Sequence, residues 1–147
     1  MSDSGSQQRS PSDVAAGVLI PASWEVPAVF RKRLGNQAGR QRAMVSDGHL
    51  LLILHSPPLA DENERGGRLF WRQPDGTWKV NCPRSTIKTL QGHLKEYRIR
   101  IDELERQEDE AKTSNDYFKV ISDLLPLYRA ARNQYQALQA ARQEIQD

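Results

Sequence analysis

The side chains that could bind a metal or act as nucleophiles are three histidines and one cysteine: His49, His55, His93 and Cys82. His49 and His55 flank one strand-like run. Six positions apart, they share a face but stand roughly 20 Å from each other, so one ion cannot take both from that strand. They read as polar residues at the ends of a strand. His93 is isolated on a helical run. Cys82 has no histidine or other base at a recognisable spacing, so a buried or strand-end thiol is expected rather than a nucleophile. The carboxylates Asp102-Glu103 and Glu108-Asp109-Glu110 have no aligned carboxylates on the following helical run. The Glu-x-x-His spacing of a bundle metal site is absent too, and a solvated helix face accounts for them. No nucleotide-binding loop is present. No cofactor is expected, and the chain reads as non-enzymatic.

One local charge bias stands out. Arg31, Lys32, Arg33, Arg40 and Arg42 form a basic group near Trp24 and Phe30. Such a group could hold phosphates or RNA, since guanidinium and ammonium groups neutralise phosphate and aromatic rings stack on bases. The rest of the chain argues against a nucleic-acid surface. The net charge is +2 over 147 residues. Residues 1–83 carry 10 Lys and Arg against 8 Asp and Glu, and residues 84–147 carry 11 of each. Neither part is a basic stripe or an acidic tail. The single cysteine excludes an internal disulfide framework and fits a reducing compartment. No apolar run reaches the ~20 residues of a membrane span, and the N-terminus has no apolar leader core. A cytoplasmic location is expected.

The most specific pattern lies in residues 84–147. Ile87, Leu90, Leu94, Tyr97, Ile101 and Leu104 are separated by 3, 4, 3, 4 and 3 positions, a heptad seam on a charged helix. A second seam runs through Tyr117, Ile121, Leu124, Tyr128, Ala131, Tyr135 and Leu138. Phe118, Val120, Leu125 and Leu127 widen it, which suggests burial on more than one side. Thr113-Ser114-Asn115 separates the two runs, and Thr113 or Ser114 can cap the second helix. Pro126 should kink or restart that helix. The short link predicts an antiparallel pair. The aromatic positions Tyr97, Tyr128 and Tyr135 then require a third surface, supplied by the head, by a second copy or by a partner helix.

Ahead of these helices the chain reads as a β-rich head over residues 14–83, after a disordered tail over residues 1–13. Residues 14–20 fit a short strand, and Pro27 to Leu34 a short helix ended by Gly35. Strands at 40–46 and 50–55 are joined by Asp47-Gly48, a hairpin turn. Leu50-Leu51-Leu52-Ile53-Leu54 is apolar on both faces and should be central. Residues 59–67 read as a loop. Trp71 and Trp78 flank a Gln73-Pro74-Asp75-Gly76 turn and are expected to pair across it. The fold class is therefore α+β: a small antiparallel sheet head with one short helix, then a long antiparallel helical hairpin resembling a coiled coil.

This order, with Leu50 to His55, the Leu69 to Trp78 hairpin and the run from His93 to Glu105, resembles the cytoplasmic part of CorA-like divalent-cation transporters. There an α/β head feeds long helices that lead to the membrane. The Gly-Met-Asn pore signature and any membrane span are missing, so the resemblance implies a cytoplasmic portion or a soluble relative and transfers no site residue. The expected function is interaction or oligomerisation through the amphipathic helices, with the chain itself or a partner helix as the partner. A regulatory portion of a CorA-like transporter is the alternative, and nucleic-acid binding through the basic group a second one.

Overall fold

The structure is a computed structural model that describes residues 15–16, 20–58 and 65–146; the segment read as a tail lies outside them. Chain order is β1 (Ala15–Ala16), α1 (Ala28–Leu34), β2 (Arg42–Ser46), β3 (His49–His55), β4 (Arg65–Arg72), β5 (Trp78–Asn81), α2 (Leu90–Glu110) and α3 (Ser114–Gln146). The fold is α+β, as the pattern predicts. β2, β3, β4 and β5 form an antiparallel sheet in that order, and β1 adds a short parallel contact to the start of β4.

β3 is central because both of its faces are apolar, and Leu50 through Leu54 are all buried. Leu51 and Ile53 point to one side with Met44, Leu69 and Trp71. That side is covered by Phe30 and Leu34 of α1, by Ala38, and by Ile20 and Trp24. Leu50, Leu52 and Leu54 point to the other side with Phe70, where Ala137 and Ala141 of α3 cover them. The chain thus builds three layers, with the helical hairpin on one face of the sheet only.

The turns follow residue chemistry. Asp47 and Gly48 both take positive φ, 53° and 82°, the geometry a two-residue hairpin requires. Gly35 ends α1 at φ 64°. Thr113 begins α3 through a reciprocal cap. Its hydroxyl accepts from the Asp116 N–H at 3.1 Å, and the Asp116 carboxylate accepts from the Thr113 N–H at 3.2 Å. Thr113→Ala is expected to lower the unfolding free energy by about 1 kcal/mol in a denaturant titration.

Several expectations need correction. The helix predicted from residue 84 begins at Leu90, with Thr89 as its cap, so Ile87 precedes it. Gly92 stands in that first turn and donates to the Thr89 hydroxyl at 2.9 Å. Gly66 and Gly67, read as loop, belong to β4, where pairing to β1 and to His55 of β3 overrides glycine's poor strand preference. Trp71 and Trp78 do not pair. Lys79 is opposite Trp71 and Arg72 is opposite Trp78, which puts the two indoles on opposite faces. Trp71 packs on Trp24 instead, with ring centroids 5.2 Å apart. Of the kink or restart expected at Pro126, the restart does not occur: α3 runs through it.

Candidate functional site

The hairpin has two distinct surfaces: the joint that holds it to the sheet, and the face it turns outward. The joint is polar and buried. Arg68 of β4 shares the Phe70 face of the sheet and reaches α2. Its Nη1 donates to Glu96 Oε1 at 2.6 Å and to His93 Nδ1 at 2.9 Å. Arginine has only donors, so Nδ1 must accept and the His93 proton sits on Nε2. Nε2 donates to Gln134 Oε1 of α3 at 2.5 Å. His93 is fully buried, with Phe70 and Tyr97 against its ring.

Burial pushes the His93 imidazole down to about 4. The Arg68 charge acts in the same direction, while the bond to Gln134 and the Glu96 charge oppose it. The neutral ring is therefore the state that fits. Two further links complete the joint. Tyr97 OH donates to the His55 carbonyl at 2.8 Å. The Gln41 amide donates to the Ala130 carbonyl at 2.9 Å and accepts from the His55 N–H at 3.1 Å. Each bond spans distant sequence, which is why His93 looked isolated.

Starting from the joint and running toward the tip, the helices pack on each other. Tyr97, Leu104, Leu127 and Ala130 form this seam with Ile101, Leu124 and Ala131, and no strand residue belongs to it. From Glu105 to Lys119 only Gln107 and Ala111 are even half-buried.

The seam residues read from the sequence divide between two faces. Tyr97 and Leu104 are buried. Ile87, Leu90, Ile101, Leu124 and Leu138 are half-buried, and Leu94 is at the margin of exposure. Tyr117, Ile121, Tyr128 and Tyr135 are exposed. The inner face of α3 is Val120, Leu127, Ala130, Gln134, Ala137 and Ala141. Small residues let the helix approach the sheet closely, so the bulky residues turn outward. Phe118 and Leu125 join them, at 71% and 56% exposure. Phe118, Ile121, Leu125 and Tyr128 follow one another at steps of 3, 4 and 3, and Tyr135 lies two turns on. That is one continuous outward stripe.

The basic group is only partly assembled. Arg31, although exposed, is engaged by the chain itself, donating to the carbonyls of Ile20, Pro21 and Trp24. Arg33, Arg40 and Arg42 share one depression, and Lys32 is outside its lining. His49 accepts from the Trp71 indole at 3.1 Å, and His55 bonds the Gly39 carbonyl at 2.6 Å. Cys82 is half-buried, and burial raises its thiol pKa. No group of three or more His, Cys, Asp or Glu among the described residues is arranged to hold a metal ion. No helix among them is long and apolar enough to cross a membrane. No protein family, curated protein or solved structure matches this chain.

Proposed function

We propose that this chain is a non-enzymatic association module, and that a second copy covers the outward stripe of α3. The stripe itself is the observation that carries this reading. Its six large side chains, Tyr117, Phe118, Ile121, Leu125, Tyr128 and Tyr135, are each about half exposed or more. At 150–250 Å² per aromatic side chain they offer roughly 600 Å² of apolar surface. That equals the largest patches on ordinary monomers and approaches the ~800 Å² per partner of a stable interface.

Charge favours an antiparallel partner. The tip of the hairpin carries Glu108, Asp109 and Glu110, all exposed, whereas α3 from Leu124 to Arg142 has Arg129, Arg132 and Arg142 and no acid. An antiparallel pair brings one copy's acidic tip to the other's arginines, and a parallel pair brings tip against tip. A two-fold axis through such a pair passes near the middle of the stripe, beside Leu125. Leu125→Cys in a Cys82→Ser background is therefore expected to form a disulfide-linked dimer under mild oxidation, while Arg98→Cys, on an exposed part of α2, does not. Equal trapping at both positions, or at neither, would contradict the pairing.

A second reading is the cytoplasmic part of a CorA-like divalent-cation transporter. It is favoured by the order of a sheet head followed by two long helices. It predicts that millimolar magnesium changes the solution mass; a mass indifferent to magnesium counts against it.

A further inference from the structure

Where α1 ends and the chain crosses to β2, the head has an open depression of about 600 Å³ lined by Arg33, Asn36, Gln37, Gly39, Arg40 and Arg42 around Leu34. This is within the usual size range of small-ligand sites. Three guanidinium groups and two amides line it, and no carboxylate among the described residues does. The ion pairs among the described residues lie elsewhere, between Arg68 and Glu96 and along α2. None neutralises this rim.

The rim is held in place from beneath. Ala38 is fully buried in the core. His55 holds the Gly39 carbonyl, and Gln41 bridges β3 and α3. Arg42 Nη1 donates to the carbonyls of Ala38 at 2.6 Å and Arg40 at 2.7 Å. Both bonds use Nη1, which fixes the guanidinium plane while its other edge can serve a ligand. Gly39 takes φ +69°, and a Cβ there would meet Arg42 Nη1 at 3.3 Å. The guanidinium and the glycine backbone are thus mutually fitted. Burial and, second, the Arg40 charge lower the Arg42 pKa. Arg42 is thus a part-buried cation beside a second cation, with no ion-pair partner among the described residues, a situation that a bound anion relieves. The carboxyl end of α1 opposes an anion with a partial charge of roughly −0.5, against three full positive charges.

We infer that this depression binds a small multiply charged phosphate, such as pyrophosphate or the polyphosphate of a nucleotide, through Arg33, Arg40 and Arg42. Guanidinium forks pair with phosphate oxygens in bidentate geometry. A small ligand is favoured over nucleic acid because the positive rim is concave and local, and the whole chain carries only +2.

Calorimetric titration of the whole chain with pyrophosphate, ATP and a single-stranded oligonucleotide, at low and physiological salt, tests this. Saturable one-site binding of pyrophosphate and ATP is expected. Arg40→Ala, whose side chain is exposed, should weaken it about tenfold or more, the usual loss of a charge-assisted bond. Gly39→Ala should weaken it by displacing Arg42, and Arg98→Ala, on an exposed part of α2, should leave it unchanged. Circular dichroism verifies that each variant is folded. Absence of pyrophosphate binding at millimolar concentration would overturn the inference. So would undiminished binding in Arg40→Ala, or binding of the oligonucleotide alone.

Discussion

Between pH 7 and pH 4 the folded chain is expected to lose about 3 kcal/mol of stability at one residue, His93. In the unfolded chain its imidazole takes up a proton near the ordinary value of about 6.5. In the folded chain it resists until about 4. The unfolded state therefore binds more protons between these values, and stability falls as pH falls through that window. Above pH 6.5 the contribution is fully present; below about pH 4 it is gone. The geometry explains the resistance. A proton on Nδ1 would face Arg68 Nη1 at 2.9 Å, donor against donor, inside a site with no water-facing surface on the ring. Glu96 is too exposed and too committed to Arg68 to compensate. Carboxylates also titrate over this range, so the test is a difference. Denaturant titrations of the wild type should fall by about 3 kcal/mol more than those of His93→Gln across the window. Glutamine can still accept from Arg68 and donate to Gln134. Parallel pH curves for the two proteins would refute the role assigned to His93.

The site of that acid sensitivity matters for function. His93, Arg68 and Gln134 tie α2, the sheet and α3 together at the base of the hairpin. Loosening them frees the arm that carries the outward stripe, so association should weaken over the same pH range.

Much of the architecture was legible in local sequence. Asp47-Gly48 and Pro74-Asp75-Gly76 announce their hairpins because few residues tolerate those dihedrals. The apolar run Leu50 to Leu54 announces a strand buried on both faces. The two helices follow from periodicity; the break read at residues 113–115 lies at 111–113, because Thr113 caps α3 and Ser114 and Asn115 belong to its first turn. What was not legible depends on contacts between distant residues. Gly66-Gly67 reads as loop until strands are present on either side of it. His93 reads as isolated because its partners lie 25 and 41 positions away. The inner face of α3 escaped for another reason. A heptad search follows the bulky residues, and here alanines line the sheet while tyrosines line the solvent. The stripe was recognised as a stripe, but its direction required the sheet. The basic group reads as five cations in the sequence; the structure gives three of them a shared depression and commits Arg31 to backbone carbonyls.

The second large effect concerns the outward stripe. Ile121→Asp with Leu125→Asp places two carboxylates in the middle of the apolar surface. Both residues are more than half exposed and clear of the inner seam, so the isolated fold should keep its stability within about 0.5 kcal/mol. In an interface the same carboxylates would be desolvated without partners, at several kcal/mol each. Dissociation by at least two orders of magnitude is then expected. Leu104→Ala is the informative contrast, because Leu104 is fully buried in the α2–α3 seam. It should destabilise the fold by roughly 2–5 kcal/mol as a core truncation, to be read by denaturant titration.

The solution mass of the wild type and of the Ile121→Asp, Leu125→Asp variant, by light scattering over a concentration series at pH 7.5, tests the association reading most directly. Twice the chain mass is expected for the wild type, falling toward one chain on dilution, and one chain mass for the variant throughout. A wild type that stays a single chain at every concentration, or a variant that associates as the wild type does, would contradict it.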